Sequence, residues 1–194
     1  VGYILDVYWK RCEPEKNVFR FALFVSFFPQ ILQGPIGRYS SLAHQLYEEH
    51  SFDYVRIERG IQRVLWGFFK KMVIAEWAGI YREAIFADPE KYSGIAIFGV
   101  LLYTAELYGD FAGGIDVVIG VAELFGIRLD ENFRQPLFST SISDFWRRWH
   151  ITLGAWMKDY VFYPLTLSAF MRKIQKKAKK KMGRKKGRFA TIAI

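Results

Sequence analysis

The residues best suited to chemistry lie between Ser141 and Leu165, SISDFWRRWHITLGAWMKDYVFYPL. Trp146, Trp149 and Trp156 stand there with Arg147, Arg148, Lys158 and His150. A neutral imidazole in an aromatic, apolar wall is poised to take a proton from a hydroxyl. Ser141 and Asp144 stand in the S-x-x-[DE] relation, so Ser141 can cap a helix while Asp144 adds a negative charge where the helix dipole favours one. On that helix Trp146, Trp149, His150 and Leu153 fall at i, i+3, i+4 and i+7 and share one face, with Arg147 and Arg148 pointing elsewhere. The two guanidinium groups are expected to depress the pKa of His150, and they can hold a phosphate or a carboxylate. Taken alone, a histidine in an aromatic helix is more often a packing residue than a catalytic one.

What is missing narrows the chemistry. There is no G-x-S-x-G, no Walker A and no paired metal ligands. Cys12 is the single cysteine, in the charged loop RCEPEK, and reads as a bystander thiol. His44 and His50 sit in a polar stretch and read as solvated. A metal site, a covalent hydrolase and a phosphate-cradling enzyme are disfavoured. Direct transfer remains, in which a base activates an acceptor hydroxyl against an already activated donor.

The elements that must position His150 read as a membrane protein. The 194 residues are 52% hydrophobic and 18% aromatic, in blocks too apolar for an ordinary soluble domain. Residues 18–36 suit a span of about 20 residues. Pro29, Gly34 and Pro35 forbid a straight helix there, so the segment is expected to be kinked or re-entrant, its freed carbonyls satisfied by protein or water. Residues 38–59 are polar and helical in pattern. Residues 60–80 carry Arg63, Lys70, Lys71 and Glu76, and fit an interfacial amphipathic helix or a span against a water-filled cavity. Residues 94–127 are the longest apolar stretch, too long for one untilted span. They hold Glu106, Asp110, Asp116 and Glu123, and a GxxxG at Gly109 and Gly113 suits close helix approach. Acids there mark a functional site or pair with Arg and Lys to hold a bundle; both readings stay open. Residues 128–140, with Asp130, Asn132, Arg134 and Pro136, form a polar connection. The whole predicts an all-α, polytopic transmembrane bundle. Val1 at the start and the apolar FATIAI at the end suggest a piece of a longer protein.

The net charge of +9 comes from one tract. Residues 172–188 carry eleven Lys or Arg and no acid; without them 17 basic residues face 19 acidic ones. Flanked by apolar segments, the tract reads as a cytoplasmic loop obeying the positive-inside rule and attracting anionic lipid headgroups, not as a nucleic-acid site.

FFPQILQGPIGRY (27–39), the Tyr108-Gly-Asp-Phe-x-Gly-x-x-Asp116 run, and Asp144 to His150 followed by Trp156, Asp159, Tyr160 and Pro164 carry a resemblance. Together they resemble the membrane-bound O-acyltransferase superfamily, in the bacterial branch of alginate O-acetylation, with teichoic-acid D-alanyl transfer as a relative. The resemblance covers nearly the whole chain. It implies one membrane-embedded domain of tilted and re-entrant helices around a tunnel, in the cell inner or plasma membrane. It implies no bound cofactor. An acyl thioester, acyl-CoA or acyl carrier protein, delivers an acyl group, most simply acetyl, at the cytoplasmic face. The acceptor is a hydroxyl of an exported polysaccharide, reached directly or through an extracytoplasmic partner transferase. His150 stands where the family has one of two active-site histidines; the other lies in a later Trp-His-Gly segment, beyond Ile194. In this reading Trp146 and Trp149 shape the tunnel, Asp110, Asp116, Asn132 and Asp144 support the site, and Arg147 and Arg148 hold the donor or a neighbouring acid. The family often continues Tyr-x-Pro-Leu with Gly-Gly-Asn-Arg, whereas here Leu165 leads into TLSAFMRK. The rival reading is a non-enzymatic polymer exporter or scaffold that uses the intramembrane acids as a cargo path.

Overall fold

The computed structural model describes residues 1–169 and 171–174, which fall into two units divided after Thr152. The basic tract lies, beyond Ile174, outside the described residues.

The first unit is built on two long antiparallel helical rods. One begins at Asp53, whose carboxylate accepts the Val55 and Arg56 N–H groups. It runs through α5 (Tyr54–Phe68), a π-helical stretch (Phe69–Ala75) and α6 (Glu76–Ala87) without a break. The other is α7 (Ala96–Leu124), entered by a 3-10 turn at Ser93–Ile95. The rods touch backbone to backbone because glycines meet. A Cβ on Gly113 would lie 2.7 Å from the Gly67 carbonyl oxygen, and one on Gly120 would lie 2.7 Å from that of Gly60. Ala75, Ala78, Ala112 and Ala122 are buried beside them. The GxxxG therefore works as expected, Gly113 against Gly67 and Gly109 against Lys70 and Ala75 of the opposite rod.

Three sets of ion pairs tie the same rods. Asp116 takes Lys70 at 2.5 Å and Arg63 at 3.0 Å, and Arg63 also reaches Glu131 at 2.6 Å. Lys71 pairs with Asp110, and Arg82 with Glu106 at 2.5 Å. The π stretch closes i→i+5 rings, so it carries an extra residue and re-aims the side chains that follow. It presents both Lys70 and Lys71 to acids of α7. Residues 60–80 therefore lie inside one continuous rod, Tyr54–Ala87, and turn their lysines toward α7. A cavity of about 40 Å³ borders Lys70, Asp116 and Glu131.

Shorter helices cover the ends. α1 (Gly2–Tyr8), α2 (Val18–Val25), α3 (Phe28–Leu32) and α4 (Tyr39–Tyr47) precede the rods. Segment 18–36 is kinked as expected: the chain breaks at Ser26 and Phe27, and Pro29 sits in the first turn of α3. Side chains add bonds around the kink, with the Gln30 amide donating to the Pro35 oxygen at 2.9 Å and Ser26 Oγ donating to the Ala22 oxygen. Phe27, Leu42, Ala122 and Ile127 form a small core between these helices and the end of α7.

Among the described residues there is no β-strand, and the all-α expectation holds. Ser93–Leu124 is the one helix there with the length and hydropathy to cross a membrane. The 29 residues of α7 reach about 44 Å at 1.5 Å per residue, beyond a hydrocarbon core of about 30 Å.

Candidate active site

Ser141 opens α8 (Ile142–Arg148) as expected, its hydroxyl accepting the Asp144 N–H at 3.1 Å. Asp144 then gathers both arginines: Arg148 Nε lies 2.9 Å from it and Arg147 3.8 Å. The hydrogen bond from Arg148 holds the Asp144 carboxyl below the usual carboxylate range. The guanidinium groups are thus spent on Asp144 and do not tune His150. This corrects the expectation that they depress its pKa; burial alone pushes the imidazole below its ordinary value of 6.5.

The single helix predicted through Trp146, Trp149, His150 and Leu153 does not form. α8 ends at Arg148, Trp149 is extended, and His150 takes φ +47° in the left-handed region. α9 (Ile151–Met157) starts afresh. Left-handed backbone at a non-glycine residue costs about 1 kcal/mol or more and persists only where its surroundings impose it. Here residues 132–134 impose it. Arg134 N–H donates to the Arg148 oxygen and Ile151 N–H to the Asn132 oxygen, each at 3.0 Å. Phe133 and Trp149 face each other in an antiparallel bridge. The break lifts His150 off the helix and turns it toward the connection.

Asn132 is fully buried at the centre of this clamp. Its Oδ1 lies 3.1 Å from the Thr152 N–H, 2.9 Å from Thr152 Oγ1 and 3.1 Å from His150 Nδ1. The first N–H groups of a helix have no partner within it. Asn132 satisfies two of them on α9, one with its backbone oxygen and one with its side chain. Thr152 Oγ1 in turn accepts the Ile36 N–H at 3.0 Å, joining the Gln33-Gly34-Pro35 turn to the site.

One aromatic ring packs on the histidine, and others gather around its neighbour Trp149. Phe111 of α7 meets the His150 ring edge-on at 4.9 Å. Trp149 stacks on Phe145 at 5.5 Å and meets Phe133 edge-on at 5.0 Å, with Tyr108 and Phe111 just beyond 6 Å. Such contacts favour fixed ring orientations. Trp146 is largely exposed and touches Phe145, outside this cluster. Asp110 and Asp116 hold cations of the other rod and make no hydrogen bond to His150. Of the residues singled out from sequence, the structure brings Asn132, Trp149 and His150 together, and gathers Asp144, Arg147 and Arg148 into a neighbouring ionic knot.

Thr152 and Phe133 lie at the candidate site and escaped sequence reasoning; Tyr108 and Phe111 stood in the Tyr108-to-Asp116 run but were not read as site residues. The spacing of Tyr108 and Phe111, i and i+3 on a long helix, was the available signal for a shared face. His44 is exposed and His50 hydrogen-bonds the Gln45 oxygen, so neither joins the site. No group of three potential metal ligands occurs among the described residues.

Sequence comparison gives this half-buried histidine its context. Residues 15–178 match the model of the MBOAT, membrane-bound O-acyltransferase, family. The chain belongs to this family, and is therefore part of a membrane protein. It is 41% identical over 166 residues to a protein of Pseudomonas syringae pv. tomato named as a probable alginate O-acetylase, covering 85% of this chain and 32% of that one. It is 40% identical to the peptidoglycan O-acetyltransferase of Helicobacter pylori (75% of this chain, 28% of the relative). It is 34% identical to the teichoic acid D-alanyltransferase of Bacillus subtilis (74% and 37%). The chain thus spans about a third of the length of these curated relatives.

Proposed function

We propose that the chain is the histidine-bearing part of a multi-pass O-acyltransferase of the cell inner or plasma membrane, which moves an acyl group, most simply acetyl, from a thioester to a hydroxyl of an exported envelope polysaccharide. His150 Nε2 takes the hydroxyl proton while the oxygen attacks the acyl carbonyl. The O–C bond forms, the C–S bond breaks, and the leaving thiolate recovers the proton from the imidazolium. No covalent acyl-enzyme is needed, in keeping with the lack, among the described residues, of a nucleophile hydrogen-bonded to the imidazole.

The observation that carries this reading is the pairing of His150 Nδ1 with Asn132 Oδ1 at 3.1 Å, with the Phe111 ring against the imidazole, which leaves Nε2 without a hydrogen-bond partner among the described residues. A base must be neutral at working pH, and burial favours that form. The three relatives are named for acyl transfer to three different polymers, which supports the reaction class over any one acceptor. Acyl-CoA or an acyl carrier protein at the cytoplasmic face is the donor in this proposal, with the basic tract at 172–188 as its docking surface and lipid contact. An extracytoplasmic partner transferase is the alternative route to the polysaccharide. The exporter reading rested on intramembrane acids open to cargo. Glu106, Asp110 and Asp116 each hold a cation, which weighs against it.

The test uses the full-length protein in membranes, supplied with a labelled acyl thioester and the polymer. Label should appear on the polymer in hydroxylamine-sensitive ester linkage. Polymer crossing the membrane unmodified, in a protein-dependent manner, would reverse the conclusion in favour of the exporter.

A further inference from the structure

Asn132 lies in a connection that predicted only a turn, yet it is fully buried and makes more polar contacts than any other residue of the site. Its amide orientation is fixed by chemistry. The Thr152 backbone N–H can only donate, so the atom facing it is the oxygen. The Thr152 hydroxyl accepts from Ile36 N–H and is left to donate its own proton to the same oxygen. The third contact, His150 Nδ1, therefore meets an acceptor. A lone pair on Nδ1 would face a lone pair on Oδ1, which is repulsive; a proton on Nδ1 is attractive. Asn132 Nδ2 is buried with no partner among the described residues. The amide is thus kept for what its oxygen does, against the cost of an idle donor.

Resting on the proposed role of His150, we propose that Asn132 is a positioning residue that fixes the neutral His150 as its Nδ1–H tautomer, so that the lone pair is on Nε2 and aimed away from the clamp. The same clamp imposes the left-handed backbone at His150, through the Asn132 oxygen on Ile151 and the Phe133–Trp149 bridge. Tautomer and ring direction are thus set by one residue. The arrangement extends through Thr152 to Ile36, so the kinked segment before α4 helps hold the hub in place.

Charged groups near the histidine are engaged elsewhere. On α7, Asp110 is held by Lys71 and Asp116 by Lys70 and Arg63. Arg148 is held by Asp144, and Glu131 by Arg63. Among the described residues Asn132 is therefore the polar side chain that reaches the imidazole, and a charge placed there should be felt directly.

The experiment uses the full-length protein in lipid nanodiscs, labelled with nitrogen-15 in its histidine rings, with the His150 signals assigned by difference from His150→Gln. Tautomer is read from the nitrogen shifts and two-bond couplings, and acyl transfer is followed against pH. Wild type should show the Nδ1–H form. Asn132→Ala should shift the equilibrium toward the Nε2–H form and lower kcat about tenfold or more with little change in KM. Asn132→Asp should keep the Nδ1–H form but move the acid limb of kcat to higher pH, because a carboxylate favours the imidazolium. A wild-type proton on Nε2 overturns the proposal. So does Asn132→Ala with an unchanged tautomer and pH profile. Should Asn132→Ala fail to fold, Asn132→Asp decides: a limb that does not move overturns the proposal. Full activity in His150→Gln would instead remove the catalytic reading, while the tautomer measurement still judges Asn132.

Discussion

Asp116 is the point where the two rods are joined by charge, and Asp116→Asn isolates that role. The carboxylate takes Lys70 at 2.5 Å and Arg63 at 3.0 Å, while Glu131 balances Arg63 alone. The four groups sum to zero charge. Asn keeps the shape and removes one negative charge, leaving Lys70, whose side chain is 14% exposed, without a counter-ion. Breaking a fully buried pair costs about 3–5 kcal/mol, and partial exposure here reduces that to about 2–3 kcal/mol. The loss should be asymmetric. Asp116→Asn with Lys70→Met removes both charges and should recover at least about 1 kcal/mol of it, since an apolar pair replaces ions without an orphan. The assay is denaturant-induced unfolding of the full-length protein in mild detergent, with both single variants and the double variant. A single-variant loss below about 0.5 kcal/mol would place the pair in the class of surface ion pairs and refute its role in joining the rods. Strict additivity in the double variant would show that Lys70 finds another partner.

Three further outcomes test neighbouring parts of the account. A Cβ at Gly67 would lie 2.6 Å from the Gly113 oxygen and 2.8 Å from the Val117 nitrogen, both backbone. Gly67→Ala should therefore cost about 1–3 kcal/mol, whereas Gly154→Ala, with open space around it inside α9, should gain about 0.5–1 kcal/mol in the same unfolding assay. Ser141→Ala removes the cap of α8 and should cost about 1 kcal/mol, with Ser141→Asp restoring most of it. Burial lowers the folded pKa of His150 below 6.5. Its neutral form is then favoured, so the unfolded chain binds more protons in the window just below pH 6.5. Stability falls as pH drops through that window, and the acid limb of acyl transfer lies below pH 6.5. A limb above 6.5 would contradict the burial of the imidazole.

The helices, the kink at Pro29 and the cap at Ser141 were readable because each depends on residues within one turn. The long apolar stretch was readable as one run, too long for one untilted span, and its acids as candidates to pair with Arg or Lys. Their partners were not, because Arg63, Lys70 and Lys71 are brought across by a π stretch that local pattern does not announce. The break at His150 escaped for a similar reason. The helical spacing of Trp146, Trp149, His150 and Leu153 is genuine, and only a distant clamp, Asn132 to Arg134, overrides it. Thr152 escaped because its value lies in two hydrogen bonds to residues 20 and 116 positions away. His150 was legible as a candidate from its surroundings; its orientation was written in the connection before it.

The most direct measurement compares the wild-type full-length protein with His150→Ala at matched levels in membranes, counting ester-linked acyl groups on the exported polymer. The account predicts that acylation collapses while the protein keeps its wild-type unfolding profile. Acylation that persists at the wild-type rate would make His150 a packing residue of the aromatic cluster and contradict its role as the base.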